Sequence, residues 1–195
     1  MESAFTVTAH PSTDIWRKPP KTNSFNAPTH ALLPKPIALK SFQGVQLTFS
    51  GPWTTRYDQG GLLLHLTRSG STDRWLKTGI EFYQGKPYLS TVSTLTYSDW
   101  SIAPPVSTNP KTTIEVRREA DELGSSLWVY ELVLGDDGEV SSRQPLREVT
   151  WFFAEEEGWE VAVSAMAARP AKEEDVEGQK NLTVNFDGVV VNVNT

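Results

Sequence analysis

The amino-acid sequence predicts an all-β fold, a sandwich or barrel of antiparallel strands, on three observations. Short runs rich in Val, Thr, Leu and aromatic residues alternate with a period of two. Turn clusters separate these runs at fairly regular spacing: Ser69-Gly70-Ser71, Gln84-Gly85, Gly135-Asp136-Asp137-Gly138 and Glu157-Gly158. No amphipathic helix of convincing length is present. The nearest candidate, residues 112–123, is rich in β-branched side chains and reads as strand and turn.

In chain order, strands are expected over residues 5–9, 14–18, 39–49, 61–67, 75–83, 88–95, 112–118, 127–134, 146–153, 159–167 and 182–193. Residues 18–36 hold five prolines, at 19, 20, 28, 34 and 36. Proline fixes φ and removes a ladder donor, so this segment is expected as an ordered extended loop or an arm wrapped on the sandwich. Residues 168–180 are polar apart from Val176 and read as a long exposed loop. Trp128, Trp151 and Trp159 fall in runs that look buried and are expected in the core. With no internal repeat, residues 1–195 are expected to form one domain, a length at which a single core needs no metal or disulfide.

Composition narrows the function classes. Lys+Arg 18 against Asp+Glu 24 gives a net charge of −6, the wrong sign for a nucleic-acid surface. Residues 155–177 carry eight carboxylates against Arg169 and Lys172, a pattern read as a solvated acidic loop. No apolar run exceeds four residues and no basic amphipathic helix appears, so no membrane role is expected. The absence of cysteine removes thiol chemistry, and the start of the chain lacks a secretory pattern; together these lead to an expected cytoplasmic location. His10, His30 and His65 have no metal-ligand spacing, and no phosphate-binding or dinucleotide glycine loop occurs, so neither metal nor cofactor is expected. Glu173-Glu174-Asp175-Val176-Glu177 matches the letters of a glucanase strand, but its flanks are loop-like, and it is set aside as catalytic.

The most informative stretch is residues 74–83. Side chains alternate along a strand, so Leu76, Thr78, Ile80 and Phe82 share one face and Trp75, Lys77, Gly79 and Glu81 the other. A two-residue turn at Gln84-Gly85 sets Tyr83 opposite Lys86, Glu81 opposite Tyr88, Gly79 opposite Ser90 and Lys77 opposite Val92. One face is then apolar, and the other carries the rings of Trp75 and Tyr88 with the donor Lys77 and the acceptor Glu81. Such a face suits a ligand, and it equally suits an ordinary solvent-facing sheet with cross-strand pairs. Lys77 and Glu81 lie roughly 13 Å apart along the strand, so each needs a partner from elsewhere.

The segments Tyr57-Asp58-Gln59-Gly60-Gly61-Leu62, Trp75-Leu76-Lys77-Thr78-Gly79-Ile80-Glu81 and Tyr97-Ser98-Asp99-Trp100-Ser101, with the closing Val184-Asn185-Phe186-Asp187-Gly188-Val189, resemble the regulation-of-enolase protein family, over roughly residues 14–193. The resemblance implies a two-sheet antiparallel β-sandwich, a concanavalin A-like jelly roll with one sheet often concave. It places Tyr57, Gln59, Lys77, Glu81, Ser98, Asp99 and Trp100 at motif positions, to which strand parity adds His65, Trp75 and Tyr88. The expected function is binding of a carbohydrate or similar polar small molecule on the concave face, with a regulatory link to carbohydrate metabolism through contact with a metabolic enzyme. The alternatives are an enzyme on a glycoside or small polar substrate with Glu81 and Asp99 as acid and base, and a protein-interaction module.

Overall fold

The structure, a computed structural model, describes residues 4–107 and 109–194. In chain order its strands are β1 (Phe5–Ala9), β2 (Ile15–Lys18), β3 (Thr22–Phe25), β4 (Thr29–Ala31), β5 (Ile37–Ala38), β6 (Phe42–Ser50), β7 (Gln59–Thr67) and β8 (Arg74–Tyr83). There follow β9 (Lys86–Thr94), β10 (Ser98–Ala103), β11 (Thr112–Asp121), β12 (Gly124–Leu134), β13 (Val140–Val149), β14 (Glu160–Ala168) and β15 (Leu182–Val193). One sheet runs β1-β15-β6-β11-β12-β13; the other runs β10-β9-β8-β7-β14-β4, with β5 also on β14. All these pairings are antiparallel, and the chain is an all-β, two-sheet sandwich.

The inward faces explain why the sheets stack. Leu62, Leu64 and Leu66 of β7, Leu76 and Ile80 of β8, and Val161 and Val163 of β14 meet Val45, Leu47, Val116, Val129 and Val184 from the other sheet in one apolar layer. Each such fully buried side chain contributes about 1.5–3 kcal/mol, and the period-two pattern delivers them all to one side. The β8–β9 hairpin has the register expected from its turn, with Ile80 opposite Leu89, Glu81 opposite Tyr88 and Lys77 opposite Val92. Gln84 and Gly85 both have positive φ, 48° and 81°, as a primed two-residue turn requires.

Elsewhere the structure departs from the expectation. The strand expected over 146–153 is β13, which ends at Val149, and Trp151, Phe152 and Phe153 lie in successive turns that close the sandwich end. Phe152 and Phe153 are buried in the core and Trp151, expected there too, is half-buried against it, a packing that needs no alternation. β13 begins at Val140 in a polar stretch and tolerates Pro145 because it is an edge strand with a register shift opposite Val129/Tyr130. Trp128 is not core: Leu127 and Val129 point inward with no exposed surface, so parity turns Trp128 outward, where it stacks on Tyr130. Residues 98–103, not among the expected strands, form edge strand β10.

The Pro-rich segment is not structureless. β2 and β3 pair as a separate ribbon, and β4 and β5 attach to β14. The stretch 14–25 thereby crosses the outward face of β7 and β8 as a strap. Ile15 anchors it, fully buried with Leu63, Trp75, Met166 and Ala168 in a second apolar cluster outside the main core. Among the described residues no helix is long and apolar enough to cross a membrane.

Candidate functional site

Register across β7, β8, β9 and β10 builds the floor of a cleft beneath the strap. Gln59 sits opposite Glu81, Gly61 opposite Gly79, and Leu63 opposite Lys77. On the far side Ser90 faces Gly79, and Trp100 faces Val92, the neighbour of Lys77. The two glycines are required by packing. A Cβ on Gly79 would stand 2.1 Å from the Gly60 carbonyl oxygen, and one on Gly61 2.2 Å from that of Thr78. With no side chain there, the two strand backbones approach closely between Lys77 and Glu81.

The strap supplies the roof. Asp14 Oδ1 accepts the backbone N–H of Ile15 at 2.8 Å, Lys77 Nζ at 3.2 Å and Gln59 Nε2 at 3.4 Å. Lys77 Nζ also donates to Gln59 Oε1 at 2.7 Å. The strap is clasped further along by Arg17, whose guanidinium donates to the Asp73 carboxylate (2.6 Å) and to the carbonyls of Asp73 and Leu95. The Arg17 backbone N–H donates to Ser98 Oγ.

The side wall comes from the turn before β7. Tyr57 adopts a left-handed backbone, φ 69°, an uncommon conformation for an aromatic residue. It is held by reciprocal bonds: Tyr57 N–H donates to the Phe82 carbonyl and Phe82 N–H to the Asp58 carbonyl. Asp58 is fully buried and receives Arg169 through two 2.7 Å bonds, plus the backbone N–H groups of Thr54 and Thr55. A bidentate pair with both carboxylate oxygens hydrogen-bonded is the geometry in which a buried ion pair is tolerated. It fixes both the Tyr57 turn and Pro170 across the cleft mouth. Tyr57 stacks on Tyr83 at 5.7 Å, and Trp100 meets Tyr83 edge-on at 5.4 Å.

These elements enclose a cavity of about 290 Å³, lined by Asp14, Trp16, Tyr57, Gln59, Lys77, Glu81, Trp100 and Pro170. Trp100 Nε1 donates to Ser90 Oγ (3.0 Å), which donates to Glu81 Oε2 (2.8 Å). The Trp100 indole also lies close enough to act on the Glu81 carboxylate. Burial pushes the Glu81 carboxyl above its usual range, against the opposing pull of the Lys77 charge and the Ser90 hydrogen bond. Lys77 and Glu81 are only 5% and 6% exposed, far less than side chains on an open sheet face.

Of the residues singled out in the sequence, Tyr57, Gln59, Lys77, Glu81 and Trp100 meet in this cavity, and five do not. Asp99 is the main correction. It lies one position from Trp100 on β10, so parity turns it to the opposite side of the sheet, where it is exposed and paired with Arg147 at 2.7 Å. It cannot act with Glu81 as an acid–base pair. Trp75 shares the cleft face but has no exposed surface: Arg17 covers its ring at 4.1 Å and Phe25 packs edge-on at 5.1 Å. His65 sits beside it, bonded to Asp73 at 2.8 Å and covered by Phe25. Ser98 Oγ accepts the Arg17 backbone N–H of the strap and is hydrogen-bonded to Thr94 Oγ1 of β9. Tyr88 lies opposite Glu81 but outside the cavity lining, with Lys86 over its ring.

Asp14, Trp16 and Pro170 were missed as site residues, because nothing local marks them and they arrive from distant segments. Ser90 was within reach of the hairpin register. Among the described residues no group of three or more His, Cys, Asp or Glu is arranged to hold a metal ion.

A family described as "Protein of unknown function (DUF1349)" matches residues 1–192. An uncharacterized protein of Emericella nidulans is 42% identical over 193 residues, covering 99% of this chain and 88% of its own. A functionally unknown protein from Saccharomyces cerevisiae, solved as a crystal structure, superposes with a TM-score of 0.66 at 21% identity, over 98% of this chain and 89% of that one. A β-1,3-glucanase from Mycobacterium marinum superposes with a TM-score of 0.47 at 13% identity, over 97% of this chain and 75% of that one.

Proposed function

We propose, for a chain that belongs to the DUF1349 family of proteins of unknown function, that it binds a small polyhydroxylated ligand, a single sugar ring, beneath the strap. The observation that carries this reading is the Glu81 carboxylate. It is almost fully buried, accepts a hydrogen bond from Ser90 and lines the cavity together with Trp16, Tyr57 and Trp100. A carboxylate can accept several hydrogen bonds, and hydroxyl donors of a ligand in the cavity would use the capacity that Ser90 leaves. Lys77 and Gln59 add a donor and an amide beside the aromatic walls, the mixture that orients polyhydroxylated molecules. At about 290 Å³ the cavity lies at the small end of ligand pockets, which run about 300–1,000 Å³.

Binding without turnover is favoured by how the remaining carboxylate is used. Asp14 is already committed to Lys77, Gln59 and the Ile15 N–H, and Asp99 faces away. The test is calorimetry against a panel of neutral monosaccharides, with product analysis of the same mixtures. One or more sugars should bind to the native protein, unchanged in the mixture, and Glu81→Gln and Trp100→Ala should each weaken binding by about tenfold or more. No binding by any sugar, or full binding by both variants, overturns the proposal.

A further inference from the structure

The cavity does not close at Tyr57. Asp14, Tyr57 and Pro170 are shared with an outer groove of about 770 Å³, which continues past Arg56 to Asp175 and Glu177. That groove is built rather than incidental. Residues 170–180, part of the 168–180 stretch expected as a long exposed loop, are pinned at three points. Val176 is buried, Arg169 Nη1 donates to the carbonyls of Gln179 and Lys180, and Lys180 Nζ donates to those of Glu173 and Val176. The short 3₁₀ turn Glu173–Asp175 is thereby held against the groove. On the opposite side Arg56 lies over the Tyr57 ring at 4.6 Å and donates to its hydroxyl at 2.7 Å.

The charges along this path set the ligand class. Among the described residues Asp175 and Glu177 enter no ion pair, and Arg56 is the groove's single cationic side chain. Carboxylates accept hydrogen bonds from hydroxyls and repel anions. Resting on the sugar-binding reading above, we propose that the physiological ligand is the end of a neutral oligosaccharide, its terminal ring under the strap and the next unit in the outer groove. Glu81 holds the terminal ring, and Asp175 and Glu177 accept hydroxyls of the unit that follows.

The experiment is calorimetry of the full chain against glucose, mannose and galactose, their di- and trisaccharides, and matching uronic-acid disaccharides. Disaccharides should bind about tenfold or more tighter than the matching monosaccharide, and uronic-acid forms more weakly than neutral ones. The double variant Asp175→Asn/Glu177→Gln should remove that advantage and leave monosaccharide affinity unchanged. Both substitutions lie on the surface loop, and circular dichroism will verify that the fold is kept. Equal affinity for one ring and two, an unaltered advantage in the double variant, or a preference for uronic acids overturns this inference while the single-ring reading stands. Absence of binding at every length overturns the single-ring reading as well.

Discussion

The two sheets present outward faces of similar alternation and opposite fate. On the six-stranded sheet, Trp128 and Tyr130 stack with ring centroids 6.0 Å apart, beside the pairs Arg143–Glu115 and Arg117–Glu119. Arg143, Arg117 and Glu119 there keep access to water. Even there local chemistry matters: desolvation and a hydrogen bond to Glu119 push the Tyr130 phenol up to about 12. On the seven-stranded sheet, Gln59, Lys77 and Glu81 leave the core by the same parity and are then buried again beneath the strap. Alternation therefore determines which residues leave the core, and a second layer of chain determines whether they meet solvent or enclose a site.

The largest expected effect tests that difference through two ion pairs. Asp58 and Arg169 have side chains 0% and 2% exposed, so Asp58→Ala strands a buried guanidinium and releases the Tyr57 turn together with residues 170–180. Breaking one member of such a pair costs about 3–5 kcal/mol. Arg143→Ala on the open face removes a pair whose Arg side chain is 42% exposed, and screening by water limits the loss to about 1 kcal/mol or less. Urea denaturation of both variants measures the contrast, and equal losses would break it.

The strap supplies the next test. Ile15→Ala empties a fully buried position between Trp75 and Met166, and truncations of this kind cost about 2–5 kcal/mol. Because the second cluster lies outside the main core, the loss should be local. Hydrogen exchange should accelerate over residues 14–25 while the inward-facing strands β7 and β8 keep their protection. Uniform acceleration would mean that the strap and the sandwich unfold as one unit.

How much of this was legible in the sequence follows from range. The turn at Gln84-Gly85 fixes the β8–β9 register, so the placement of Lys77, Glu81, Tyr88 and Ser90 followed from ten or so neighbouring residues. The same parity rule applied to 98–103 would have turned Asp99 away from Trp100, but its polar composition concealed an edge strand. Trp75 had the right face and the wrong surroundings, because its cover, Arg17 and Phe25, comes from about fifty residues upstream. Asp14 and Pro170 were beyond reach for that same reason. No periodicity reports which distant segment folds over a sheet, whereas the two-sheet sandwich itself needed only the local alternation.

The smallest effect sharpens the comparison at a single carboxylate on each face. Burial raises the Glu81 pKa above its ordinary value of 4.5, so folding favours the protonated form. Below that ordinary value folded and unfolded chains both carry the proton, and the group contributes its full share of stability. As pH rises the unfolded chain ionises first, and that share is lost progressively through the raised native pKa. Glu81→Gln keeps the shape and cannot ionise, so its stability relative to the native protein should grow from acid to neutral pH, read as Tm at about 2–4 °C per kcal/mol for a chain of this size. Glu115→Gln, which removes the acceptor of Arg143 on the open face, should instead slightly destabilise at neutral pH. Ligand affinity should run against stability at Glu81: the ionised carboxylate accepts hydroxyls best, so sugar binding strengthens over the same interval in which the fold weakens. Opposed slopes from calorimetry and thermal melts, both absent in Glu81→Gln, would assign stability loss and recognition to one oxygen pair; parallel slopes would separate them.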